Sequence, residues 1–350
     1  MNRMIKWGGG LVVALAALGA VAVAATWEAD RDVDALKARW APPPSQFIEV
    51  RGMAVHLRDE GPRDDAEPIV LLHGTSASLH TRDGWADALK GQRRVIRMDL
   101  PGFGLTGPTP SGDYSVPHYV GFLVALLDRL GVQRAVVGGN SFGGYLAWKL
   151  AADHPQRVSR LVLVDAAGYA FAPESIPLAF RMAQIKPLKP LLDHTLPRGM
   201  VESSVRNVYG DPGKVTPELV DRYFELTLRA GNRAALGERF RQSQGGEFEQ
   251  QVPGLKQPTL ILWGGRDRLI PPEQGQRFAR EIAGSRLVLL DDLGHVPHEE
   301  DPARTVAAVQ AFLGAAPTAA GAPATATQAP ADPAAAVVTA PSSSSPSETR

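Results

Sequence analysis

The sequence predicts an α/β protein with a mostly parallel central sheet flanked by helices and a helical cap inserted after the sixth strand. Three observations predict it. Short continuous apolar runs alternate with stretches of helical periodicity, which is the order that builds a sheet covered on both faces. The alternation breaks once, over residues 169–252, where helical segments follow one another without a strand. Polar, glycine-rich turns follow the apolar runs, where open α/β sheets place their ligands.

Taken in order, Gln46–Val50 and Met53–Arg58 read as two strands around the Arg51-Gly52 turn, a hairpin. Pro68–Leu72, Arg94–Met98, Ala135–Val137 and Leu161–Val164 are the next four strands; Thr259–Trp263 and Leu287–Leu290 follow the break. Apart from Arg94 and Arg97, these runs are apolar at nearly every position, the pattern of a strand buried on both faces. Tyr119–Leu130, Tyr145–Ala152 and Val306–Leu313 carry apolar residues at i, i+3 and i+4 and read as helices. Pro173, Pro177, Pro187 and Pro190 cut the 169–252 interval into short helical pieces. Residues 47–168 and 253–315 therefore form the core, and residues 169–252 a cap over the sheet's C-terminal edge.

The two ends differ from this core. Arg3 and Lys6 precede the uncharged run Trp7–Ala25, and Ala22-Val23-Ala24 offers a small-residue cleavage site. Residues 1–26 are read as a signal peptide or membrane anchor, implying an exported domain. It would lie on the outer face of the cytoplasmic membrane, or in the periplasm or medium after cleavage. Residues 27–46, with Pro42-Pro43-Pro44, read as a linker. Residues 316–350 are almost wholly Ala, Pro, Thr, Ser and Gly and read as a disordered tail, because they cannot bury enough apolar surface to offset ordering.

Composition narrows the chemistry. The formal net charge is zero, without a basic stripe to displace counterions from phosphates, which argues against a nucleic-acid partner. The chain has no cysteine, so disulfides, thiolate catalysis and thiolate-bound zinc are excluded together.

The sharpest motif is Gly139-Asn140-Ser141-Phe142-Gly143-Gly144, set between a strand and a helix. A turn this sharp holds Ser141 in a strained conformation with its hydroxyl exposed, and the residues two before and two after it must be very small. A serine nucleophile needs a base, and the base needs an orienting acid. His295, in Leu293-Gly294-His295-Val296-Pro297-His298, follows the last strand and is read as the base; neighbouring His298 is given a structural or solvated role. Asp267, in Gly264-Gly265-Arg266-Asp267, follows the preceding strand and is read as the acid, with Asp165 at the end of an earlier strand as the alternative. His73-Gly74-Thr75 ends the Pro68–Leu72 strand, so the backbone N–H groups of Thr75 and Phe142 are the candidate oxyanion donors, and His73 braces the loop. Asp99-Leu100-Pro101-Gly102-Phe103-Gly104 fits a tight loop framing the pocket.

These five motifs, in their order along the chain, resemble the α/β-hydrolase superfamily over residues from about Phe47 to Leu313, especially its capped esterase, lactonase and carbon–carbon hydrolase branch. Ser at 141 departs from the relatives that carry Asp there, the haloalkane dehalogenases and epoxide hydrolases. The resemblance implies a serine hydrolase cleaving a small or medium, fairly apolar carboxylic ester through an acyl-enzyme, without metal or organic cofactor. The alternative is a carbon–carbon hydrolase of a dienone acid, which requires a basic side chain near Ser141 for the carboxylate. Thr75-Ser76-Ala77-Ser78 and Val296 depart from that branch, which often has a glycine-rich loop and an aromatic residue at these places. A binding protein that kept the fold without turnover is a third reading.

Overall fold

A computed structural model describes residue 21 and residues 23–185, 193–243 and 245–314. Its single eight-stranded sheet comprises β1 (Gln46–Val50), β2 (Met53–Glu60), β3 (Ile69–Leu72), β4 (Val95–Met98), β5 (Ala135–Asn140), β6 (Val158–Val164), β7 (Thr259–Gly264) and β8 (Arg286–Leu290), in the spatial order β1-β2-β4-β3-β5-β6-β7-β8. β1 pairs antiparallel with β2, and β2 antiparallel with β4; every later pairing is parallel. Arg51 and Gly52 close the first hairpin with φ of 52° and 80°, the left-handed pair that matches the twist of the flanking strands.

The continuous apolar runs are explained by two cores, one on each face. Val70 and Leu72 of β3 join Ile96, Val137, Leu161 and Trp263 on one side, against α3 (Val116–Arg129) and α4 (Phe142–Asp153). Ile69 and Leu71 point the other way and join Val95, Val136, Val162 and Leu262 against α2 (Asp83–Leu89) and α11 (Pro302–Gly314). The two-residue period of a strand thus sends alternate apolar side chains into different cores. α2 and α9 (Pro272–Glu281) have no long apolar periodicity of their own and are placed by packing, through Trp85 and Phe278.

Residues 169–252 carry α5 (Leu178–Ala183), α6 (Arg198–Val208), α7 (Pro217–Thr227) and α8 (Asn232–Gln242), with no strand named among the described residues. α6 and α7 share an apolar cluster of Val201, Val205, Val220 and Phe224, to which Val296 of the core contributes. Thr216 caps α7 by accepting the Leu219 N–H, with Pro217 at the first helical position.

Two expectations for the N-terminal region need correction. Residues 27–46 are not a bare linker, because α1 (Val33–Trp40) forms there and the segment is tied to the cap. Trp27 bridges to Thr195 and Arg31 to Arg229, Asp30 pairs with Arg233 at 2.5 Å, and the Trp40 indole donates to Glu225 at 2.7 Å. Leu36 is buried between Leu105 and Leu226. The membrane-spanning reading is overturned for the part that is described: among the described residues no helix is long and apolar enough to cross a membrane. Of Trp7–Ala25 the description reaches only Val21 and Val23–Ala25, which end in a turn at Thr26; the rest of that run, and the tail 316–350, lie outside the described residues.

The strand order fixes where chemistry can occur. The chain leaves β3 to build β4 on one side and returns to build β5 on the other. The C-terminal ends of β3 and β5 therefore flank the crevice where the winding reverses. His73-Gly74-Thr75 follows β3, and Ser141 follows β5.

Candidate active site

Ser141 links β5 directly to α4 with φ 54° and ψ −119°, a conformation that a side chain adopts only where its surroundings enforce it. Its N–H donates to Val164 O at 3.1 Å, and its carbonyl accepts from Tyr145 N and Ala167 N, both at 3.0 Å. The flanking glycines are steric necessities. A Cβ on Gly139 would lie 2.1 Å from Gly143 O, and one on Gly143 would lie 2.5 Å from His73 O. Ser141 remains partly exposed while Asn140 and Phe142 beside it are buried, so the hydroxyl side of the turn is the open one.

His295 and Asp267 meet across the loops that leave β8 and β7. The His295 Nδ1–H donates to Asp267 Oδ2 at 2.6 Å. Asp267 Oδ1 accepts from Leu269 N at 2.8 Å and Ile270 N at 2.9 Å, so three N–H donors hold this carboxylate, and it is almost fully buried. With Nδ1 engaged, Nε2 is the nitrogen left to act as a base.

Two positioning residues escaped the sequence reading. Asn140 donates from Nδ2 to Val164 O at 3.1 Å and to His295 O at 2.9 Å, tying the base loop to the turn that carries Ser141. Glu300 accepts from Gly294 N and Gly210 N, each at 2.9 Å, and from Asp211 N at 2.8 Å, fastening the same loop to the cap. The one signal for Asn140 was a polar residue at a position due for burial beside the serine.

Asp165 also lies here. Its Oδ1 accepts from Gly264 N at 2.8 Å, its Oδ2 is buried without a partner, and it makes no hydrogen bond to His295 among the described contacts. Burial, and then the charge of Asp267, push its carboxyl well above the usual range. Asp165, Asp267 and His295 are close enough to be considered as cation ligands, with one donor atom from each within 4.8 Å of the others. The donor set fits a hydrogen-bonded pair better: Asp267 is already matched to N–H groups, one of them from His295 itself.

The oxyanion side is built by β3 and α4. Gly74 abuts Ser141, since a Cβ there would meet the Ser141 Cβ at 3.2 Å. His73 donates from Nδ1 to Gly74 O at 2.7 Å and accepts the Leu100 N–H at Nε2 at 2.9 Å, bracing the loop that presents Thr75. Phe142 is the first residue of α4, where a helix N–H lacks an intrahelical acceptor. Asp99 fastens the pocket frame, accepting from Leu79 N and Leu105 N at 2.8 Å and from His56 Nδ1 at 2.7 Å. Burial alone would raise its carboxyl, yet His56, with His80 and His73 nearby, holds it well below the usual range. Ser45 lies 2.9 Å from His56 Nε2, which copies the outline of a second Ser-His-Asp array. The Ser45 hydroxyl accepts from Arg58 Nε at 3.0 Å and sits on no strained turn, so the array serves to pin the segment before β1.

His298 is fully buried against Trp85, at 6.2 Å in a T-shaped contact, and not solvated. Burial, with Arg82 and His295 nearby, holds its pKa well below normal, so it stays neutral. His298→Ala is expected to lower the melting temperature, as emptying a packed site does, while changing turnover by less than about tenfold. A loss as large as that from His295→Ala would show that His298 is the base.

Arg239 is a functional candidate that the sequence did not reveal. It reaches down from α8, donates from Nη2 to Thr75 Oγ1 at 3.0 Å, and lies 4.2 Å from the centre of the Phe142 ring. It is buried, its Nε has no partner, and no carboxylate pairs with it among the described residues. Burial lowers its pKa to about 10. An open, mostly apolar cavity in the cap is lined by Ser76, Phe180, Met182, Met200 and Leu236, and also by Arg233 and Arg241. Ser141 does not line this cavity; Ser76, next to Thr75, is where it approaches the site.

A family model described as the alpha/beta hydrolase fold matches residues 67–302. The chain belongs to this family. 2-Hydroxymuconate semialdehyde hydrolase of Pseudomonas putida is 29% identical over 274 residues, covering 76% of this chain and 92% of the relative. Among solved structures, the enol-lactonase of Burkholderia xenovorans LB400 superposes with a TM-score of 0.65 at 25% identity, covering 76% of this chain and 99% of that one. A bacterial membrane phospholipase A gives 0.66 at 26% identity, covering 89% and 98%. Membership of a hydrolase family agrees with a small-molecule substrate.

Proposed function

We propose that this hydrolase cleaves carboxylic esters through an acyl-enzyme, with Ser141 as nucleophile, His295 as base and Asp267 as the orienting acid. The observation that carries the reading is the Asp267–His295 pair, tied through Asn140 to the strained turn that presents Ser141. His295 Nε2 takes the Ser141 proton as Oγ attacks the carbonyl, and the N–H groups of Thr75 and Phe142 receive the oxyanion. One such donor is typically worth about 10²–10³ in turnover. His295 then passes the proton to the leaving alcohol and activates water to release the acid. The apolar cap cavity supports a fairly apolar acyl group, and two of the similar structures bear the names of ester hydrolases, a lactone being a cyclic ester. A panel of nitrophenyl esters of graded chain length, lactones and a dienone acid tests this. The reading holds if an ester or lactone gives the highest kcat/KM and fails if none is turned over.

A second reading has one specific observation in its favour. A carbon–carbon hydrolase of a dienone acid requires a basic side chain near Ser141, and Arg239 is such a group, buried beside Thr75 and Phe142 and without a carboxylate partner among the described residues. Losing one partner of a buried charge pair costs about 2–5 kcal/mol. If Arg239 binds a substrate carboxylate, Arg239→Gln should therefore lower kcat/KM at least about thirtyfold on acid-bearing substrates. Neutral esters should change by less than about threefold. Equal losses on both substrate types would assign Arg239 to the oxyanion pocket instead.

A further inference from the structure

Asp165 and Asp267 are two buried carboxyl groups in one site, and the bonding around them is unequal. Asp267 accepts three N–H groups, from Leu269, Ile270 and His295. Asp165 accepts one, from Gly264 at Oδ1, and its Oδ2 is buried without a partner. Donor atoms of both groups and of His295 lie within 4.8 Å of one another, and both aspartates are essentially inaccessible to water. Two carboxylates this close cannot both stay ionised at modest cost, so one keeps a proton, and the group with fewer donors is the one that keeps it. A protonated carboxyl must also place its O–H. With Oδ1 engaged by Gly264, the proton belongs on Oδ2, and the acceptor at hand is the Asp267 carboxylate.

We infer that Asp165 is a protonated acid in the resting enzyme and that its Oδ2–H donates to Asp267, so that a two-carboxyl unit with a single negative charge orients His295. The inference rests on the assignment of His295 as the base. Asp165 is then a positioning residue: it touches neither substrate nor nucleophile, and it acts by drawing charge from Asp267. Among the described residues, Arg82 from the turn before α2 acts on Asp165, His295 from the loop after β8 bonds Asp267, and His298 from α10 (Pro297–Glu300) lies near Arg82 and His295. The upward push on Asp165 from burial and from Asp267 outweighs the pull of Arg82.

The test compares the pH profile of kcat/KM for the wild type, Asp165→Asn and Asp165→Ala in the full chain, using the best ester from the panel. Asparagine copies a neutral acid that both donates and accepts. Its acid limb should stay within about 0.3 unit of the wild type, with kcat/KM within about threefold. Alanine removes the donor and leaves Asp267 with undiluted charge. The acid limb should then rise by about one unit, so that kcat/KM measured on that limb falls about tenfold. A limb that falls by a unit or more in Asp165→Asn means that a negative charge was removed and overturns the inference. So does an unmoved limb in Asp165→Ala, which a merely structural residue would give. If the alanine variant does not fold, infrared difference spectroscopy of wild type against Asp165→Asn decides. A buried protonated-carboxyl band lost in the variant supports the inference, and a wild type without that band contradicts it. The infrared readout needs no turnover, so its failure is distinct from failure of the ester reading, which Ser141→Ala tests separately.

Discussion

Ser141→Ala is expected to lower turnover by about 10⁴–10⁶-fold while leaving the fold intact. The loss should be that large because no other described group occupies the geometry of Ser141. Its backbone is forced to φ 54° by the bonds to Val164, Tyr145 and Ala167, and its neighbours Gly139 and Gly143 tolerate no Cβ. Alanine can occupy the same backbone, so the thermal transition should move little. The residual rate should come from the oxyanion donors and substrate binding alone. His295→Ala should cost about as much, since the members of such a unit act together. Stopped assays with the purified variants, alongside thermal melts, check both. Near-wild-type turnover without the Ser141 hydroxyl would end the mechanism.

Asp267→Asn is expected to cost on the order of 10⁴-fold in turnover, again with the fold retained. The asparagine oxygen can still accept from Leu269 and Ile270, but its amide then faces His295 Nδ1 with a donor. The ring must either lose that bond or adopt the tautomer that carries its proton on Nε2, where it cannot take the Ser141 proton. The contrast with Asp165→Asn, for which a change of threefold or less is expected, makes the prediction specific. Reversed magnitudes for the two substitutions would move the acid to the end of β6.

Much of this site could be read before the fold, for a physical reason. Buried parallel strands must be apolar on both faces, so β3 to β8 announced themselves as continuous runs, and the chemistry of an open α/β sheet is confined to the turns that follow them. Ser141, Asp267 and His295 each follow such a run, and the structure brings Asp267 and His295 into a hydrogen bond. Asp165 sits at a strand end too, and sequence position could not separate it from Asp267; the count of N–H donors around each carboxyl does. Arg239 was illegible because it is one of three arginines within nine residues of a helix, and only the packing of the cap against Thr75 and Phe142 distinguishes it from Arg233 and Arg241. The segment 27–46 reads as a linker because what orders it is distant: Asp30 meets Arg233 across 203 positions of chain, and Trp40 meets Glu225 across 185. Prolines and charged residues in a short stretch look like a linker unless those partners are known.

A serine activated by His295 and Asp267 should be open to covalent trapping at Ser141. The full chain would be treated with a fluorophosphonate and the adduct located by peptide mass spectrometry, with Asp267→Asn and His295→Ala treated in parallel. One adduct is expected, on the peptide carrying Ser141, forming at a rate that falls steeply in both variants. An adduct on any other serine, Ser45 included, or labelling of Ser141 at an undiminished rate without His295, would contradict it.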